Sequence, residues 1–154
     1  MKESRGLIGL AGEYYVCAEL CRQGILALIT PKNNPLFDIV ATSPESKRTV
    51  SIQVKTMSIG NEDGWRLGKD MLEKKHNDSL FVVLVNMNKD GSNDFYIYPY
   101  DELVERVKTE MNLYMETPKK DGTPRKDTGF CWFDLKQFKD SDKVKEGNWK
   151  ILGF

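Results

Sequence analysis

Between Leu7 and Arg22 apolar positions recur at spacings of three and four, with Leu10, Tyr14, Cys17 and Cys21 on one stripe and Gly24 following as a terminator. The spacing predicts an amphipathic helix. After a short segment, "LFDIVA" and "RTVSIQVKT" are β-rich runs separated by "TSPESK", whose proline, serines and charges are turn material. They predict a hairpin with Pro44, Glu45, Ser46 and Lys47 in its loop. A midpoint between Glu45 and Ser46 sets Asp38 opposite Gln53 on one face, and Lys55 joins them one pleat further on.

"GWRLGKDMLEKKH" is polar and leads into a predicted short helix, whereas "SLFVVLVN" is almost wholly apolar and of strand length, as a central strand should be. "DFYIY" is a further strand. Pro99 closes it ahead of a helix with Leu103, Val107, Met111 and Tyr114 or Met115 on one side. "TPKKDGTPRKDTG" lacks periodicity and reads as an exposed loop, and "GNEDG" and "DGSND" read as turns. The aromatic tail, "FCWFDLKQF" and "NWKILGF", is expected to dock back on the body. Helices and strands intermingle, which predicts an α/β domain over residues 1–154 with a mixed central sheet.

Composition narrows the functions. The chain has 154 residues, 40% of them hydrophobic, enough for a core without disulfide staples. Its 23 basic and 23 acidic side chains cancel, so any attraction to a polyanion must come from a local patch. Three cysteines suit a reducing cytosol, with Cys17 and Cys21 read as small core residues of the first helix. No apolar run has the length of a membrane span, and the N-terminal run is too short for a signal peptide, so the expected setting is cytoplasmic with no membrane partner.

The unusual feature is the pair Gln53 and Lys55 within a strand otherwise fit for the core. A buried ammonium is costly unless it is paired or used. A helix glutamate, Glu13, a strand aspartate, Asp38, and the Gln53-x-Lys55 pair on the next strand together resemble the PD-(D/E)XK nuclease superfamily, of the restriction endonuclease-like and Holliday-junction-resolvase-like kind. Pro35 lies three residues ahead of Asp38, and Gln53 stands where the superfamily usually has an acid.

The resemblance implies a restriction endonuclease-like αβββαβ core with a C-terminal helix. It implies a Mg²⁺-dependent nuclease, with Mn²⁺ as a substitute, that hydrolyses phosphodiester bonds in DNA and can work as a homodimer. It assigns metal binding to Glu13, Asp38, Gln53 and the Val54 carbonyl, and transition-state support to Lys55. Mg²⁺ takes hard oxygen ligands and keeps several waters. An amide at Gln53 keeps the oxygen but removes a charge, so the ion should bind more weakly than with two strand acids.

Trp65, Arg66 and Lys69 follow the metal strand, where the superfamily has its cleft rim. They are candidates for phosphate and base contact, although a tryptophan there can equally cap the core. Lys119, Lys120, Arg125 and Lys126 form a basic loop suited to a nucleic-acid backbone, with Asp121 and Asp127 offsetting it. His76, the single histidine, reads as an exposed or capping residue, so no imidazole-based triad is expected. The alternative function is a catalytically inactive nuclease-fold module that binds nucleic acid or a protein partner.

Overall fold

A computed structural model describes residues 4–31, 36–59 and 64–154. Pro35 and most of the predicted "GNEDG" turn lie outside these residues. Helix α1 (Arg5–Arg22) is followed by β1 (Leu26–Ile29), β2 (Ile39–Thr42) and β3 (Thr49–Met57). Then come β4 (Trp65–Gly68), a 3₁₀ turn at Lys69–Leu72, β5 (Leu80–Met87), β6 (Asn93–Pro99) and α2 (Tyr100–Glu116). The chain ends with β7 (Phe130–Phe133), a 3₁₀ turn at Leu135–Gln137, the one-turn helix α3 (Asp140–Lys143) and a 3₁₀ turn at Trp149–Leu152.

The main sheet has the order β1-β2-β3-β5-β6, with β3 and β5 parallel and the other pairs antiparallel. The predicted hairpin register holds, since Ile39 pairs with Ile52 and Thr42 with Thr49. The segment before it is a strand rather than a connection: β1 pairs with β2 at the sheet edge, and four residues are too few to declare themselves by alternation. The predicted helix after β3 is likewise corrected. Residues 65–68 are a strand paired with β7, where Leu67 alternates inward and Arg66 outward, and only the next four make a helical turn.

Each face of the sheet carries its own core. Odd positions of β5, Phe81, Val83 and Val85, join Ile39, Ile52 and Val54 beneath Val16 and Leu20 of α1, with Trp149 and Leu152 of the tail. Even positions, Val82 and Leu84, join Trp65, Leu67, Leu103, Val107 and Phe133. Burial on both sides is why β5 reads as an unbroken apolar run. The aromatic tail docks as expected: Phe138 stacks on Trp65 at 5.9 Å, and Trp149 meets Phe95 at 5.4 Å.

Helix α1 turns a different face inward from the one predicted. Gly12, Val16 and Leu20 are buried, with Ile8 packed against them, while Tyr14 is 60% exposed and Cys21 is exposed. Cys17 of the predicted stripe does pack against this core; the true stripe, Ile8, Gly12, Val16 and Leu20, is interrupted by a glycine, and the alternative through Leu10 and Tyr14 is equally apolar in sequence. On α2 the buried side is Leu103, Val104 and Val107, and Tyr114 is exposed. Burial pushes the thiols of Cys17 and Cys131 up to about 11, Cys17 with smaller contributions from Cys21 and Glu13. Thiolate is the reactive form. Mass spectrometry after brief maleimide treatment near pH 7.5 is therefore expected to find Cys21 modified first, and equal labelling of all three would contradict this packing.

Among the described residues, no helix is long and apolar enough to cross a membrane.

Candidate nuclease cleft

β3 outruns β2. Asp38 precedes β2, and its backbone N–H donates to the Ile52 carbonyl, the last main-chain bond from β2 toward Val54. One step further, the Val54 N–H donates to Asp38 Oδ2 at 2.7 Å, so a side chain replaces the ladder. N–H and C=O of one strand residue point the same way, so the Val54 carbonyl faces this free edge beside the Asp38 carboxylate. The paired register ends at Ile39 and Ile52, one residue short of Asp38 and Gln53, and beyond it Asp38 is tied to β3 by its N–H to Ile52 and its carboxylate to Val54.

Gln53 and Lys55 are half-buried on the side of the sheet opposite Ile52 and Val54. That side is covered over β5 and β6, but toward the edge Leu26 and Leu28 remain exposed. Lysine is therefore tolerated inside a central strand because its head lies at an opening. Among the described residues, neither the Lys55 ammonium nor the Gln53 amide has a hydrogen-bond or ion-pair partner.

Glu13 comes from α1. A Cβ on the neighbouring Gly12 would fall 1.9 Å from Thr56 Oγ1, so the glycine permits helix and strand to approach closely here. Glu13 is half-buried at this contact and has an interaction of its own. Thr56 Oγ1 is buried without a hydrogen-bond partner.

Beside this edge lies a cleft of about 860 Å³. Arg5, Lys55 and Arg66 supply cations to it, Thr56 and Ser58 border it, and Trp132 closes one side. No carboxylate belongs to its described lining. Gly64 also borders it, at φ +91° and with no room for a Cβ, which would meet the Phe133 carbonyl at 2.3 Å. A neutral protein thus concentrates positive potential at one hollow.

Among the described residues, no three His, Cys, Asp or Glu side chains gather as a metal site would require. The oxygens that the β3 edge presents are the Asp38 carboxylate and the Val54 carbonyl. They are hard oxygen donors of the kind Mg²⁺ accepts, with low charge.

The remaining candidates separate. Arg66 stands in the cleft, across from Trp132 in the β4–β7 pairing. Trp65 does not reach the rim. It is 1% exposed, and its indole N–H donates to the Val85 carbonyl at 2.9 Å, so it caps the core and offers no face to a base. Lys69 is paired with Asp127. In the basic loop, Arg125 donates to the Thr117 carbonyl at 2.8 Å and lies over the Tyr114 ring, while Lys119, Lys120 and Lys126 are exposed. None of these four is part of the cleft lining. His76 is exposed, and its backbone N–H donates to Asp101.

Sequence reasoning missed Arg5 and Trp132. Alternation in "FCWF" carried a signal for Trp132, since Phe133 points inward and Trp132 outward. Arg5 had none, because its place depends on the angle at which α1 crosses the sheet.

This architecture, a five-stranded mixed sheet flanked by helices, is a restriction endonuclease-like fold. The chain is similar to a bacterial homing endonuclease, I-Ssp6803I, with TM-score 0.53 and 14% identity over 97% of this chain and 92% of that one. It is also similar to Hjc, a Holliday junction resolvase from Archaeoglobus fulgidus, with TM-score 0.42 and 18% identity over 60% of this chain and 72% of that one. No protein-family model matches the chain, and no curated protein does.

Proposed function

We propose that the protein is a Mg²⁺-dependent endonuclease that hydrolyses phosphodiester bonds in DNA. The observation that carries this reading is the cationic cleft at the edge where Asp38 bonds the Val54 N–H, with Lys55 in its wall. Arg5 and Arg66 neutralise backbone phosphates on either side of the scissile one, which supplies affinity without sequence preference. Lys55 places its ammonium against a non-bridging oxygen or the attacking water, stabilising charge that grows in the transition state. Asp38, Gln53, the Val54 carbonyl and Glu13 would hold the metal. When bound, Mg²⁺ supplies Lewis acidity to the phosphoryl group and acidifies the attacking water. The fold likeness to a solved structure that is by its name a homing endonuclease supports this reading. Two copies acting together would cut two strands, and the three free thiols suit a reducing cytoplasm.

Gln53 motivates a second reading, a module that binds DNA without cutting it. Nicking of supercoiled plasmid decides between them. Cutting that requires Mg²⁺ or Mn²⁺, and stops on chelation, supports the enzyme; binding with no cutting in either metal supports the module.

Charge at residue 53 gives a further expected outcome. Gln53→Glu adds an acid beside Asp38 and should lower the Mg²⁺ concentration for half-maximal cutting by roughly ten-fold, a size that outer-shell groups already reach in metal sites. An unchanged Mg²⁺ requirement would remove Gln53 from the ligand set.

A further inference from the structure

A second hollow, of about 260 Å³, lies between the latter half of α2 and β7. Met111, Tyr114 and Met115 form one wall, and Phe130 and Trp132 form the other. Trp132 also borders the cationic cleft, so one ring, 43% exposed, separates the two spaces. Arg66 reinforces the partition: its guanidinium lies 4.0 Å over the Phe130 ring, which meets Trp132 edge-on at 6.1 Å.

We propose that this hollow receives one unstacked base of the DNA whose backbone occupies the cleft. The inference rests on the nucleic-acid reading above and adds the kind of substrate preferred.

The walls of the hollow suit a base, being largely aromatic and thioether. Three carboxylates line the hollow, and each is already engaged: Glu110 by Arg106 at 2.5 Å, Asp134 by the backbone N–H groups of Lys136 and Gln137, and Asp127 by Lys69. Lys126 also lines the hollow, so charge does not bar an anion; it is the apolar and aromatic walls that favour a planar ring, whose exocyclic amino groups find acceptors in the carboxylates. Phosphate is accommodated next door, among Arg5, Lys55 and Arg66. The size fits as well, since a hollow just under the roughly 300 Å³ at which sites for drug-sized ligands begin suits a planar ring and not a peptide segment. Thioethers and aromatic faces stack on any base. Extruding a base costs least where it is mismatched, bulged or already single-stranded. DNA with an unpaired base is therefore preferred over a perfect duplex.

The test is a pair of 2-aminopurine duplexes, one with the probe in a single-base bulge and one fully paired, titrated in EDTA so that nothing is cut. Wild type should bind the bulged duplex more tightly and change its 2-aminopurine fluorescence on binding. Trp132→Ala should weaken binding of the bulged duplex by about ten-fold, within the range for loss of one base–aromatic stack, and move the paired duplex far less. Trp132→Phe should restore most of the preference. Equal binding of both duplexes by wild type, or an equal loss on both in Trp132→Ala, overturns the base pocket. The two readings fail separately: bulge preference without metal-dependent nicking removes the catalytic reading and leaves the pocket, and nicking without Trp132-dependent preference does the reverse.

Discussion

Lys55→Ala is expected to lower metal-dependent nicking by about 10²–10³-fold, the loss seen when one preorganised group aimed at developing charge is removed. The side chain is half-buried with no partner among the described residues, so its removal disturbs no bond of the fold. Thermal stability should stay near wild type. Asp38 needs finer treatment, because its Oδ2 also terminates the β2–β3 ladder on the Val54 N–H. Asp38→Ala would leave that N–H without its partner, at about 1–3 kcal/mol, and confound folding with catalysis. Asp38→Asn retains an oxygen for the N–H and removes the charge. It should melt close to wild type and cut at least about a hundred-fold more slowly. If Lys55→Ala and Asp38→Asn both nick plasmid at the wild-type rate, the cleft is not a catalytic site.

The second large effect is on stability and lies far from the cleft. Asp142, 1% exposed, accepts hydrogen bonds from Arg106 Nε at 2.9 Å, the Tyr98 hydroxyl at 3.0 Å and the Lys139 N–H at 2.8 Å. It ties α3 to α2 and β6 at once. Burial, with the Asp142 charge as a second cause, holds the Tyr98 phenol far above its ordinary range, so it acts here as a donor. Removing one partner of a buried ion pair typically costs about 3–5 kcal/mol. Arg106 keeps Glu110 and the Gln137 carbonyl, which puts Asp142→Ala toward the lower end. In a chain of this length about 3 kcal/mol corresponds to a fall in Tm on the order of 10 °C. Urea unfolding should show a lower midpoint at unchanged slope, and a loss below about 1 kcal/mol would show that the network contributes little. Asp142→Asn, which can still accept from Tyr98, should lose less.

The separation between these two sites reflects how the chain is built. The proposed site lies at the β3 edge and on the outer side of the β4–β7 ribbon, while the Asp142 network joins α3 to α2 and β6 and reaches β7 only through Arg106 over the inward Phe133 ring. A mutation at Asp142 should thus reduce the fraction folded without altering the metal requirement of the folded molecules.

How much of this could be read from the chain follows from range. The β2–β3 hairpin, its register and the doubly buried β5 were legible, because turn chemistry and a period of two act between near neighbours. The inward face of α1 was not: it centres on Gly12, whose value lies in having no side chain against Thr56. Trp65 shows the same limit, since nothing local tells a rim tryptophan from one whose indole N–H reaches the Val85 carbonyl. Sequence alone determined the β2–β3 pairing and the shared side of Gln53 and Lys55 on β3. Only the tertiary structure could bring Arg5, Arg66 and Trp132 around Lys55, or join Asp142 to Arg106, because those encounters depend on helix crossing angles and on a ribbon formed by segments far apart in the chain, where no local pattern acts.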